Sequence, residues 1–211
     1  MLSLATLFIS TGAAAFGYTI SGVAYCNISA SDAANTPAPG TASSGTQCAT
    51  FSASGLAFYS SGSTTTNNLG SFLSSENDLI SVTYLNGFSA ASNLDNSLWQ
   101  FSGTGYFVNG QTYTVVHDDG VVMAVNGVTV FNAPAPTSTV TNTFVYSGIT
   151  GNYLFNYNYT EQGGTSLYAT DAAVSPVPEP SSLLLLGTGA AVLFFLIRHS
   201  ATRLASREFL P

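Results

Sequence analysis

The sequence contains no lysine, and its three arginines, Arg198, Arg203 and Arg207, all fall in the last fourteen positions. Nucleic-acid affinity comes mainly from Lys and Arg side chains that neutralise phosphates and release counterions, so a body without them is excluded as a DNA- or RNA-binding surface. Charge of either sign is scarce, at 6% of residues, and ten acids against three bases leave a formal charge of −7. Residues 1 to 197 hold nine of those acids and no base. A chain expanded by charge repulsion is excluded too, because so little charge cannot hold open a sequence that is 12% aromatic. With two cysteines and two histidines, no cluster at zinc-ligand spacing forms. Gly-x-Ser-x-Gly, His-Glu-x-x-His and the phosphate-binding loop are also missing, and Ser and Thr are too abundant for one of them to stand out as a nucleophile, so no catalytic residue is assigned. No internal repeat of 20 to 50 residues is visible, and 211 residues suffice for about one domain.

What is present begins at the ends. Residues 2–9 are an apolar run followed by Ser10-Thr11-Gly12 and Ala13-Ala14-Ala15, small residues that a signal peptidase accepts, so 1–15 is expected to be a secretory signal peptide. No Lys or Arg precedes the run, and a buried first strand is the other reading of it. At the C-terminus, Pro176-Val177-Pro178-Glu179-Pro180 and two serines precede an uncharged apolar stretch at 183–197, and Arg198, His199, Arg203 and Arg207 follow. As a helix this stretch with its serines is about 25 Å long, slightly short of a ~30 Å hydrocarbon core, and spans with some bilayer thinning. The positive-inside rule puts the basic tail, 198–211, in the cytoplasm and everything before residue 181 outside. Pro178 and Pro180 stop the helix from propagating backward and keep 172–182 an extended tether.

This order of a Pro-Glu-Pro element, one membrane helix and an Arg-rich end resembles the PEP-CTERM sorting signal, over about residues 176 to 207. The resemblance implies recognition of Pro178, Glu179 and Pro180 by an exosortase in the inner membrane, then release or transfer of the outer domain to the cell surface or extracellular matrix of an exopolysaccharide-making bacterium. A single-span anchor that is never cut is the plainer alternative, and it has no need of the Pro-Glu-Pro element.

Between the signals, residues 16–171 read as an all-β domain, an antiparallel β-sandwich or jelly roll, because short β-rich runs alternate with turn residues and no helix-period stretch of useful length appears. Asn126-Gly127 is expected to join 121–125 to 128–131 as a hairpin, and Asn109-Gly110 to pair 106–108 with 111–116 in the same way. Tyr153, Phe155, Tyr157 and Tyr159 alternate with largely polar residues, as in a strand that covers a core. Gly163-Gly164 then turns the chain into a last strand near 166–170. Residues 32–46 and 60–68, rich in small and polar residues, are expected to be exposed loops.

Cys26 and Cys48 are the only cysteines, and an even count in an exported chain favours a disulfide over two buried thiols. His117-Asp118-Asp119-Gly120 is the one concentrated polar cluster. Its adjacent carboxylates offer hard oxygens to Ca²⁺, the one cofactor the sequence points to, while Asp-Gly is equally a turn without a ligand. The stretch from Tyr113 through Asp118-Asp119-Gly120 to Asn126-Gly127 and Phe131, with the later aromatic strand closing on Glu161-Gln162-Gly163, is similar to the protective-antigen-type lectin-like domain of adhesins. The resemblance implies that Asp118 and Asp119 hold Ca²⁺ that in turn binds sugar hydroxyls, with extracellular polysaccharide as partner. Glu76, Asp78, Asp95 and Glu161 are the acids from which a glycosidase pair could be drawn. Trp99 and the tyrosines are expected in the core, with stacking on sugar rings as the alternative.

The expected function is that of a non-enzymatic, exported surface or matrix protein. A ligand-free structural protein and a secreted glycan hydrolase are its rivals. Glu179→Ala is expected to block processing without disturbing the fold, so that immunoblots of membrane fractions show the uncut chain accumulating at wild-type levels.

Overall fold

Strands that turn an aromatic residue inward at every second position build this molecule, and two sheets that bury those faces against each other are the result. The structure, a computed structural model, describes residues 19–60, 67–75 and 78–172. The chain divides into the units Met1–Ser175 and Pro176–Pro211. The expected signal peptide, Glu76, the Pro-Glu-Pro element, the apolar stretch and the arginines lie outside the described residues.

In chain order the elements are β1 (Ile20–Cys26), α1 (Ala30–Ala34), β2 (Thr46–Ala53), β3 (Ala57–Ser60), α2 (Leu69–Leu73), β4 (Leu79–Tyr84), β5 (Ser97–Phe107), β6 (Thr112–Asp118), β7 (Val121–Val125), β8 (Val128–Ala133), β9 (Val140–Val145), β10 (Gly151–Glu161) and β11 (Ser166–Thr170). A seven-stranded sheet runs β4-β2-β1-β5-β10-β7-β8 and a four-stranded sheet β3-β11-β6-β9. Every pairing is antiparallel. The domain is thus all-β. Among the described residues no helix is long and apolar enough to cross a membrane.

Aromatic rings close the space between the sheets. Phe101 and Tyr159 of the large sheet stack on Tyr168 of the small one at 5.0 and 5.5 Å, and Phe107 meets Tyr113 edge-on at 5.9 Å. Phe155, Tyr157 and Tyr159 of β10 are fully buried and Tyr153 is half-buried, so the two-residue period carries a continuous inner face. Gly22 on β1 is where the ring of Phe51 lies: a Cβ there would stand 2.0 Å from it. Asn126 and Gly127, at φ of 51° and 77°, form the tight turn of the β7–β8 hairpin.

The second expected hairpin does not form. β5 ends at Phe107 in the large sheet, and β6 begins at Thr112 in the small one, where it pairs with β11 and β9. The polar groups of the turn are drawn elsewhere. Gly110 N donates to Tyr146 O at 2.8 Å, Tyr146 N to Gln111 O at 3.0 Å, and Asn109 Nδ2 to the carbonyls of Ser147 and Gly148. Asn109-Gly110 therefore carries the chain from one sheet to the other, which lets Phe107 and Tyr113 face each other.

The excursion at 27–45 is anchored rather than loose. Ser29 caps α1 by accepting Asp32 N at 3.2 Å, and Ile28, Ala33 and Leu98 bury one another on the outer face of the large sheet. The structure joins Cys26 to Cys48, Cα atoms 5.7 Å apart, at the two ends of this excursion. Closing a loop of 22 residues restricts the unfolded chain. Replacing both cysteines by alanine is therefore expected to lower stability by about 3 kcal/mol, read as a fall in denaturation midpoint with unchanged circular dichroism of the folded state.

Candidate functional site

β6 pairs Asp118 with Leu167 in the small sheet, and β7 pairs Val121 with Tyr159 in the large one. Asp118-Asp119-Gly120 is thus the crossing between sheets, which sets both carboxylates at one end of the sandwich. The peptide bond between the two aspartates is cis. Gly120 is required by its neighbours, since a Cβ would lie 2.2 Å from Thr36 Oγ1 and 2.3 Å from Pro134 O.

Asp118 and Asp119 are only 8% and 6% exposed, and neutral donors hold them. Thr139 Oγ1 donates to Asp118 Oδ2 at 2.8 Å, Thr137 N to Asp119 Oδ1 at 3.1 Å and Gln162 N to Asp119 Oδ2 at 2.7 Å. Burial pushes the Asp119 carboxyl above its ordinary range; the charge of Asp118 adds to this, while the N–H groups of Gln162, Thr137 and Gly163 oppose it.

His117 is buried behind the turn. Its Nδ1 faces Asp119 O, and a carbonyl only accepts, so Nδ1 carries the proton and Nε2 accepts from Asn142 Nδ2 at 3.0 Å. With both nitrogens engaged, His117 helps to orient the Asp119 carbonyl.

Glu161, expected above only as one of four candidate glycosidase acids and as the close of the aromatic strand, also belongs to this site. It is fully buried, with Oε2 2.7 Å from the Tyr159 hydroxyl, which also bonds the Asp118 carbonyl. Tyr159 has one hydrogen for two neighbours. The hydroxyl is the donor shared by the Glu161 carboxyl and the Asp118 carbonyl. Burial is the main cause that pushes the Glu161 carboxyl up to about 8; Asp119 and Asp118 add to it, and the Tyr159 hydroxyl pulls the other way. Oε1 has no hydrogen bond, since the nearby Ser166 hydroxyl gives its hydrogen to Asn67 Oδ1 at 2.9 Å. A signal for Glu161 existed: it stands one step of the two-residue period beyond Tyr159 and so on the inner face of β10.

Of the other described acids, Asp78 is not drawn in, whereas Asp95 lies at the same end, joined through Asn67 to Ser166. Asp78 accepts Ala57 N at 3.2 Å beside the β2–β4 pairing of Ala53 with Leu79, at the opposite end from Glu161, which pairs with Ser97. Asp95 accepts from Asn67 Nδ2 at 2.6 Å and Asn93 Nδ2 at 3.1 Å. Trp99 is buried, its indole donating to Ser97 Oγ at 2.8 Å. Among the described residues no three His, Cys, Asp or Glu side chains come together at metal-binding distance. Asp118 and Asp119 fit a hard cation in donor chemistry, because an oxygen that holds one N–H keeps a second lone pair; carbonyls, hydroxyls and water would supply the remaining ligands.

A family model described as a PEP-CTERM protein-sorting motif matches residues 176–198. The chain carries a PEP-CTERM sorting signal. The match takes in Pro178, Glu179, Pro180, the apolar stretch and Arg198. The sandwich shares the fold of a PA14 sugar-binding domain from an RTX adhesin, at 21% identity and a TM-score of 0.51, over 72% of this chain and 88% of that one. It is also similar to the PA14 domain of the MpAFP antifreeze protein, at 19% identity and a TM-score of 0.44, over 74% and 84% of the two chains. A GH31 alpha-xylosidase from Xanthomonas citri aligns at 13% identity and a TM-score of 0.36, over 77% of this chain but 14% of that one. No curated protein matches the sequence.

The raised Glu161 carboxyl sets a pH dependence for the stability of the domain. The folded state keeps a proton that the unfolded chain releases above its ordinary value of 4.5, so stability present at low pH is lost as pH rises toward about 8. Denaturation in chelator across this range is expected to show the fall, and Glu161→Gln, which cannot ionise, to remove its upper part.

Proposed function

We propose that this chain is a surface or extracellular-matrix protein whose sandwich binds carbohydrate through Ca²⁺ held by Asp118 and Asp119, after an exosortase has processed it at Pro178-Glu179-Pro180. The observation that carries the reading is the crossing turn itself. It holds two adjacent carboxylates at one end of the sandwich, with no Lys or Arg among the described residues to neutralise them. A divalent cation supplies that missing charge, and bound there it offers open coordination positions to sugar hydroxyls. The sugar-binding domain of an RTX adhesin has the same fold, which supports carbohydrate as the ligand class. No chemical transformation enters the proposal: His117 is fully engaged, and Asp78 and Glu161 lie at opposite ends of the sandwich.

A second reading, a structural protein whose Asp118-Asp119-Gly120 is a turn and nothing more, is favoured by the near-complete burial of both aspartates and by their bonds to Thr139, Thr137 and Gln162. Titration decides between the two. Ca²⁺ at a hundredfold excess over its dissociation constant is expected to stabilise the domain by about 2.7 kcal/mol, raising its melting temperature. Asp118→Ala with Asp119→Ala is expected to remove that increment and all glycan-array binding. An unchanged melting temperature with Ca²⁺ leaves the structural reading.

A further inference from the structure

The excursion at 27–45 passes behind the crossing turn, and one of its side chains joins the strand and the loop that meet there. Thr36 is 2% exposed. Its backbone N–H donates to Pro134 O at 2.9 Å and its hydroxyl to the same carbonyl at 3.1 Å, so one residue fills both lone pairs of that oxygen. With its single hydrogen given to Pro134 O, Thr36 Oγ1 accepts from Thr160 Oγ1 on β10, and Thr160 N in turn donates to Gly120 O at 2.9 Å. Thr36 lies directly against the turn, since a Cβ on Gly120 would stand 2.2 Å from Thr36 Oγ1.

Thr36 is itself held on both sides. Ala33, three residues before it, is buried with Ile28 and Leu98, and Pro37 O accepts from Asn158 Nδ2 at 2.9 Å. The Cys26–Cys48 disulfide closes the ends of the excursion. None of these bonds reaches Asp118 or Asp119, yet Pro134 opens the connection that does. Thr137 N, three residues on, donates to Asp119 Oδ1, and Thr139 Oγ1 donates to Asp118 Oδ2. Pro134 and Pro136 each lock a φ angle on the way, so a displacement of Pro134 is carried to Thr137 rather than absorbed.

We propose that Thr36 is a positioning residue of the candidate cation site: it clamps Pro134 against the crossing turn and so holds the Thr137 and Thr139 donors where they fix the two carboxylates. The inference rests on reading Asp118 and Asp119 as Ca²⁺ ligands, and it gives the 27–45 excursion a role in their site. Carboxylates fixed before the ion arrives lose less freedom when it binds. Loss of a group that orients metal ligands typically weakens metal binding by about 10- to 100-fold.

Calcium titration of the full chain in detergent is the test. Thr36→Val keeps the shape and the N–H but removes the hydroxyl, and is expected to weaken Ca²⁺ binding about tenfold. Thr36→Ser restores the hydroxyl and is expected to bind like the wild type. Thr170→Val removes a buried hydroxyl bond of 2.7 Å to Thr114 O, toward the other end of the sandwich, and is expected to lower stability without changing the affinity. Equal affinity in Thr36→Val and the wild type, or equal weakening in both valine variants, overturns the proposal.

Amide exchange in chelator separates the clamp from the Ca²⁺ reading. Thr36→Val is expected to speed exchange at Thr137 while amides of the β5–β10 pairing keep their rates. Unchanged exchange at Thr137 overturns the clamp even where Ca²⁺ binds, whereas faster exchange in a chain that binds no Ca²⁺ upholds the clamp and removes the cation reading. Should Thr36→Val fail to fold, the wild type decides. Coupled equilibria are reciprocal, so saturating Ca²⁺ is expected to slow exchange at Thr36 as well as at Thr137, and equal exchange at Thr36 with and without Ca²⁺ overturns the proposal.

Discussion

Every carboxylate in the described domain must be satisfied without a cationic side chain, because no lysine or arginine lies between residues 1 and 197. Ion pairs are the usual solution for buried acids, and their lack shifts the whole burden to N–H and O–H donors. Asp32 is met by Ser44, Asp78 by Ala57 N, Asp95 by two asparagines and Asp171 by Thr114 N. Glu161, deepest of all, is met by one hydroxyl and keeps its proton instead. The loops around Asp118-Asp119-Gly120 follow from the same constraint. Thr137, Thr139 and Gln162 converge on the two aspartates from separate connections, which ties the β8–β9 and β10–β11 loops to the crossing between sheets.

That crossing is one of two that organise the sandwich. At the other end Asn109-Gly110 passes the chain between β5 and β6, fixed by the 146–150 connection. Between them the stacked rings of Phe101, Tyr168, Tyr159 and Phe72 supply cohesion. The polar end with its acids and the aromatic middle are thus separate layers of one design: packing sets the sheets, and the sheets bring distant loops to the aspartates.

The legible parts were those encoded locally. The two-residue period of β10 gave its inner face, Asn126-Gly127 gave a hairpin through the positive φ that both residues tolerate, and the run of Asp118-Asp119-Gly120 marked the turn. The Asn109-Gly110 turn shows the limit, since a dipeptide encodes a bend but not which strands lie on either side of it. The donors to Asp119 were invisible for a related reason. They are backbone N–H groups of Thr137 and Gln162, which any residue could supply, and only long-range register brings them there. Tyr159 was readable as a core residue, yet its hydroxyl bond to Asp118 O depends on two strands in different positions of the fold.

The missing cations have a consequence for how long the β-domain survives. Proteases of the trypsin type cut after lysine or arginine, and they find no such bond before Arg198. A sandwich whose acids are held by hydroxyls and amides therefore needs no steric shielding against that enzyme class, even where its exposed connections at 134–139 and 146–150 are accessible to solvent.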